Sequence, residues 1–181
     1  MKNILSSLVA VTLIAVTSVT LRGAETQTEA KVLKITGSSA QVQLASGETR
    51  PLVEGESLPQ GATILTGAGT EVYVAPMEGT VATIKPNSSV GLEQLSVTKD
   101  GGAVTKQTAL LNLKSGNLVS SLDPTKKNIN NYGVRTPKGV AAARGTVFTV
   151  NVNGVNYRVV TGTGSVTISA PGVPAVTIAA G

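Results

Sequence analysis

From Ala30 onward, apolar side chains recur at alternate positions in short runs, and turn residues return every eight to twelve positions. Such alternation predicts strands with one face buried. Val32, Leu33 and Ile35 open the series. Val42 and Leu44 alternate with Gln41 and Gln43 before Ser46-Gly47, and Ile64-Leu65 lies between Gln60-Gly61 and Thr66-Gly67. Val72 and Val74 alternate with Glu71 and Tyr73, and Met77-Glu78-Gly79 turns the chain into a strand over 81–85 that Pro86-Asn87 ends. Next, Val90 and Leu92 are followed by Leu95 and Val97, a change of phase that one extra residue in a β-bulge produces. After Asp100-Gly101-Gly102, Leu111 and Leu113 start one strand, and Ser115-Gly116-Asn117 leads to another over 118–122. Residues 123–131 form the longest polar gap and are expected to be an exposed loop. After the first 21 residues no run keeps a helical period, and no repeat of fixed length occurs. The expected fold is all-β over residues 26–181, with many short, mainly antiparallel strands in a sandwich or an irregular solenoid-like stack.

The most explicit prediction is a hairpin at Asn153-Gly154, a pair that favours a type I′ turn with positive φ at both residues. That turn would set Val152 opposite Val155, Val150 opposite Tyr157 and Phe148 opposite Val159, all on one buried face. Asn151, Asn156, Thr149 and Arg158 would lie outside, with Thr149 and Arg158 paired.

Composition adds a compartment. Lys2 precedes residues 4–21, eighteen positions without a charge, with small residues near the end of the run. This describes an export signal over residues 1–23, cut after Ser18 or Gly23, or an uncleaved anchor at the lower limit of bilayer-spanning length. The remainder is expected outside the cytoplasm, in the periplasm or at the cell surface of a Gram-negative-type bacterium. Membrane contact would come only through an uncleaved N-terminal segment. There is no cysteine, so no disulfide or lipid-modified cysteine holds the protein. With one Phe and no Trp, the core must be built from Val, Ile, Leu and Ala.

Charge is distributed unevenly. The chain carries a net +5, yet no acidic residue follows Asp123, while Lys126, Lys127, Arg135, Lys138, Arg144 and Arg158 do. Either the two halves pack together and offset each other, or the basic part meets an anionic partner. In the second case Arg135, Lys138 and Arg158 are the candidate face, and an anionic glycan, a lipid headgroup or an envelope protein is the candidate partner. Nucleic acid is not expected, because aromatic residues for base stacking are nearly absent.

Catalytic chemistry has little to work with. Histidine is absent along with cysteine, which removes a Ser-His-Asp triad, a thiolate nucleophile and the usual zinc ligands. Glu54 and Glu56 are close in sequence and read as solvated surface; Asp100 and Asp123 do not sit in a calcium loop. No catalytic, cofactor-binding or metal-binding residue is expected, and no enzyme activity. Arg144, in the small-residue run before Gly145, has two readings: its five donors pin neighbouring carbonyls, or they bind a carboxylate or phosphate.

The motifs have a family likeness. Gly61, Ile64, Thr66 and Gly67 match a G…I-x-T-G step, Pro86-Asn87-Ser88 a P-N-S step, and Leu111, Leu113, Gly116 and Leu118 an L-x-L-x-x-G-x-L step. Thr136, Pro137, Gly139, Arg144, Gly145, Thr146 and Phe148 then match a TP-x-G run leading to RGT-x-F. In this order, across most of residues 30–170, the chain resembles FecR-like domains. The resemblance implies an all-β extracytoplasmic domain; its best-known members sense a loaded iron transporter and signal to a sigma factor. Only Met1-Lys2-Asn3 precede the apolar run. A sigma-factor-binding region is therefore not expected, and the link to iron signalling is not carried over. The expected function is a binding or sensing module of the cell envelope; the alternative is a structural surface protein that assembles through sheet edges.

Overall fold

The computed structural model describes residues 23–154 and 156–180; residues 1–22 of the expected export signal, Val155 and Gly181 fall outside the described residues. In chain order the strands are β1 (Glu25–Gln27), β2 (Glu29–Thr36), β3 (Ala40–Gln43), β4 (Thr49–Pro51), β5 (Ser57–Pro59), β6 (Thr63–Thr66), β7 (Glu71–Met77) and β8 (Thr80–Ile84). They continue as β9 (Ser89–Asp100), β10 (Ala103–Leu122), β11 (Asn130–Thr136), β12 (Gly139–Ala143), β13 (Val147–Asn153), β14 (Asn156–Thr163), β15 (Ser165–Ala170) and β16 (Val173–Ala179). A single 3-10 turn, Pro124–Lys126, interrupts them among the described residues.

All sixteen strands share one hydrogen-bonded network, and β10 is its hinge. Up to Ser115, β10 pairs with β9 on one side and, over 107–112, runs parallel to β11 on the other. From Gly116 on, it lies between β8 and β13, antiparallel to both. The network therefore divides into two sheets. The first runs β16-β15-β12-β11-β10-β9-β6-β3-β4, with β1 beside the far part of β9; the second runs β14-β13-β10-β8-β7-β2-β5. Between them lies one apolar core of Val, Ile, Leu and Ala, as the composition requires. Its aromatic pair spans the sheets: Tyr132 of β11 meets Phe148 of β13 edge-on, with centroids 6.1 Å apart. The Tyr132 hydroxyl is satisfied by Ser120 Oγ of β10 at 2.8 Å. Of the two architectures expected, the sandwich is the one formed.

Ser115-Gly116-Asn117 does not separate two strands as expected. It bends a single twenty-residue strand. Leu111 and Leu113 face the core before the bend, and Leu118 and Leu122 after it, so the inward positions change from odd to even. Gly116 has φ of +91°, and a Cβ there would sit 2.6 Å from Ser88 Cα, so glycine is required twice over. The bulge in β9 forms as expected: Leu111 pairs with Leu92 and Leu110 with Gln94, leaving Glu93 as the extra residue.

The hairpin keeps its faces but shifts its register. Asn153 pairs with Asn156, Val152 with Tyr157, Val150 with Val159 and Thr149 with Val160. Arg158 lies opposite Asn151, not Thr149. Only Gly154 of the expected turn pair has positive φ, +59°. The innermost observed pair is Asn153–Asn156, where Val152–Val155 was expected, so Asn153 belongs to the ladder rather than to the turn. Because the shift is even, Phe148, Val150 and Val152 remain buried. Val159 is half-buried and Tyr157 is 36% exposed, against expectation, because β14 is an edge strand beyond which the core is not covered.

Two polar devices close the sandwich. Residues 123–131 are mostly exposed, as expected, but Asn130 is buried and belongs to β11. Gln107 donates to Asn130 Oδ1 (2.9 Å), Asn130 donates to the Glu78 carbonyl (3.0 Å), and Glu78 N–H donates back to Gln107 (3.3 Å). This ring ties the first sheet to the β7–β8 turn of the second and satisfies every buried amide atom it uses. Far along both sheets, Arg50 grips Glu56 through two nitrogens at 2.6 and 3.1 Å, and Glu56 also accepts from Val53 N–H at 2.7 Å. Glu54 accepts from Ile35 N–H. The two glutamates are thus fastened to the fold rather than merely solvated.

Phe148→Ala removes a fully buried ring and should lower stability by about 3–5 kcal/mol in urea unfolding. Thr149→Ala, on the outer face, should cost about 0.5 kcal/mol or less. Equal effects would contradict the assigned faces. The Arg50 guanidinium, followed by the Val53 N–H, holds the Glu56 carboxyl below its ordinary range. A depressed carboxylate contributes stability that is complete above its unfolded pKa of about 4.3 and disappears as pH falls through the folded value. Unfolding midpoints measured downward from about pH 5 should therefore fall more steeply in the wild type than in Glu56→Gln.

Candidate anion-binding site

The RGT segment links β12 to β13, and its parts separate by environment. Thr146 is fully buried; its hydroxyl lies 3.2 Å from the Arg144 carbonyl and 3.1 Å from the Ser165 carbonyl. Its own carbonyl accepts from Leu122 N–H at the end of β10. Gly145 has φ of +63°, and a Cβ there would meet Pro124 Cα at 2.7 Å. These two residues join the starts of β13 and β15 to the end of β10. Thr136 holds the β11–β12 turn, donating to the Gly139 carbonyl and accepting from Lys138 N–H across Pro137. A Cβ on Gly139 would collide with the Ser169 carbonyl, so glycine lets β12 approach β15. Phe148 fills the core.

Arg144 differs from all of these. Its side chain is exposed, and among the described residues it makes no side-chain hydrogen bond or ion pair. The reading in which it pins neighbouring carbonyls is not realised, because the small residues around it point it outward from the β12–β13 connection. Two shallow hollows, of about 370 and 310 Å³, meet at Arg144 and Asn131. Ser165 and Thr167 line the first; Lys106, Thr105 and Asn128 line the second. No carboxylate lines either one. A guanidinium, an ammonium, amides and hydroxyls around an open surface can receive a carboxylate through paired N–H donors.

The basic face expected from Arg135, Lys138 and Arg158 does not form as such. Arg135 Nε is engaged by both oxygens of Glu93, at 2.8 and 2.9 Å. The β9 bulge supplies that carboxylate, as bulges do when they redirect a side chain. Lys138 lies in the β11–β12 turn of the first sheet, whereas Arg158 lies on β14, the edge of the second. Lys106 was not singled out in the sequence, where it is one lysine in a polar run; only the pairing of β10 with β11 brings it beside Asn130 and Asn131. A larger hollow of about 580 Å³ lies by Met77, Val81, Leu122 and Val147. It is apolar, and its acidic rim is already occupied: Lys126 binds Glu78 and Thr125 binds Asp123.

The FecR protein family profile matches residues 62–167, from the start of β6 into β15. The chain belongs to the FecR protein family. The match is narrower than the likeness over residues 30–170, and leaves β1 to β5 and β16 outside it. Two crystal structures of a putative anti-sigma factor from Parabacteroides distasonis share the fold, each with a TM-score of 0.50 and 17% identity over 65% of this chain. The chain spans about half the length of those structures, 51% in each case. No curated protein matches it. In this FecR-family chain the fold accounts for Thr136, Gly139, Gly145, Thr146 and Phe148, whereas no side-chain contact among the described residues accounts for Arg144.

Thr146→Val, which removes a buried hydroxyl whose single proton is shared between the Arg144 and Ser165 carbonyls, should lower stability by about 1–3 kcal/mol in chemical unfolding. Arg144→Ala should leave stability within about 0.5 kcal/mol. A large loss for Arg144→Ala would return this arginine to the scaffold.

Proposed function

We propose that this chain is an exported, non-enzymatic FecR-family module that recognises a carboxylate-bearing protein partner at the Arg144 surface. One observation carries the reading: within a family motif otherwise used for packing, Arg144 has an exposed guanidinium with no partner among the described residues. FecR membership and the fold shared with a putative anti-sigma factor support a sensing or regulatory role exercised through protein contact. The uncharged run over residues 4–21 supports a place in the periplasm or at the cell surface. Glu56, Glu71, Glu78 and Glu93 are each paired with a basic side chain, which supports a non-catalytic role. The charge asymmetry resolves in part by internal pairing, with Lys126 and Arg135 joined to Glu78 and Glu93.

Binding of a glutamate-rich peptide, measured by fluorescence anisotropy, tests the reading. The wild type should bind at low salt and weaken as salt rises. Arg144→Gln should weaken binding about tenfold or more, and Arg144→Lys should recover only part of it, because an ammonium cannot form the paired bonds. Lys138→Gln should change little. Unchanged binding in Arg144→Gln would overturn the proposal, and tighter binding of a polyuronate than of the peptide would transfer the site to a glycan.

A further inference from the structure

Asn153 is the one asparagine of the chain that is followed by glycine. It pairs with Asn156 and so holds the last rung of the β13–β14 ladder before the turn. Asn153 and Gly154 are both exposed, Gly154 has φ of +59°, and nothing lies within 4 Å of where a Cβ would stand on it. Among the described residues the Gly154 N–H has no hydrogen-bond partner, and neither has the Asn153 carboxamide. Both residues line an open hollow of about 370 Å³ with Ser115, Asn117 and Asn151, so water reaches them. The other described asparagines are placed differently. Beside exposed Asn87, the Ser88 N–H is held by Thr66 Oγ1 at 3.0 Å. Beside Asn128, the Ile129 N–H is held by the Lys126 carbonyl at 3.1 Å. Asn112, Asn117, Asn130, Asn131, Asn151 and Asn156 lie within paired strands, each followed by a residue that bears a side chain.

We propose that Asn153-Gly154 is a self-modification site, where water converts the asparagine to aspartate and isoaspartate without an enzyme. The Gly154 nitrogen loses its proton and attacks Asn153 Cγ. The new C–N bond closes a succinimide ring as the side-chain nitrogen leaves as ammonia. One water then opens the ring, so one water is consumed for each ammonia released and nothing is oxidised or reduced. Opening at the side-chain carbonyl leaves aspartate on the original backbone. Opening at the backbone carbonyl routes the chain through Cβ and gives isoaspartate, with an extra main-chain carbon. Ring closure needs the Asn153–Gly154 peptide to rotate towards the side chain. Glycine permits that rotation, and only the last rung of the ladder must open for it. Either product carries the first carboxylate after Asp123 and lowers the net charge by one. It stands at the hairpin tip, on the outer face that Asn151 and Arg158 share.

Ageing of the folded chain at mildly alkaline pH, followed by ion-exchange chromatography and peptide mapping by mass spectrometry, tests the proposal. The expected result is a more acidic form that accumulates with time and faster as pH rises. Both aspartate and isoaspartate should appear at position 153, ahead of any change at another asparagine. Gly154→Ala should slow the conversion about tenfold or more, because a side chain there obstructs ring closure. Asn153→Gln, whose longer side chain must close a larger ring, should abolish the acidic form. Circular dichroism verifies that both variants are folded. Conversion confined to the denatured chain, Asn87 reacting as fast as Asn153, an unchanged rate in Gly154→Ala, or no acidic form at any pH would each overturn the proposal.

Discussion

Where β10 passes Ser88, two backbones lie so close that only glycine fits between them, and the topology depends on that contact. Ser88 Oγ accepts from Asn117 N–H at 2.9 Å, and Ser88 N–H donates to Thr66 Oγ1 at 3.0 Å, which in turn donates to the Lys85 carbonyl at 2.7 Å. Asn87, the residue before, is the one non-glycine with positive φ among the described residues. Three motif steps distant in sequence, at Thr66, Ser88 and Gly116, thus meet at one corner. Without the bend they hold, β10 would run straight and its second half would leave the core. With it, Leu122 folds back over the first sheet, and the loop to β11 needs only to cross the gap between sheets, about 10 Å. The parallel pairing of β10 with β11, an unusual neighbour in a chain of hairpins, follows from that short crossing.

The ion pairs are fastenings of the same architecture. Lys126 to Glu78 joins the crossing loop to the β7–β8 turn, and Arg135 to Glu93 spans β10 from β11 to the bulge of β9. Each is partly exposed, so each contributes specificity of position more than free energy. The basic last third of the sequence is therefore divided. Part of it locks the sheets, and Lys127, Lys138, Arg144 and Arg158 carry no ion pair among the described residues.

Much of this was legible in the alternation of side chains, because a strand with one buried face repeats every two residues whatever its neighbours. The bulge at Glu93 and the inward set Phe148, Val150 and Val152 follow from phase alone. Gly116 was visible only as a break, since a turn and a bend within one strand use the same residues. The hairpin register differs because Asn153 is taken into the ladder as the partner of Asn156, although Asn-Gly locally favours a turn. The candidate site was half legible. Arg144 stood out from its small neighbours, but which side of the sheet it faces depends on β12 packing beside β11 and β15. Lys106 gave no signal at all, because the parallel pairing of its neighbour Gln107 with Asn130 cannot be read from local pattern.

The shared strand also has a kinetic consequence. β10 takes partners from β8, β9, β11 and β13, which span residues 80 to 153. Its pairings with β11 and β13 cannot form until the last of that stretch is present, and the aromatic contact between Tyr132 and Phe148 forms only when both sheets exist. Loops must close before their contacts return any stability, so a chain of this kind reaches its native state slowly, on the millisecond-to-second scale of β-sandwiches. Until then the strands after Arg158 remain a neutral, apolar ribbon, and the order in which β13 and β14 close decides how long that ribbon is exposed.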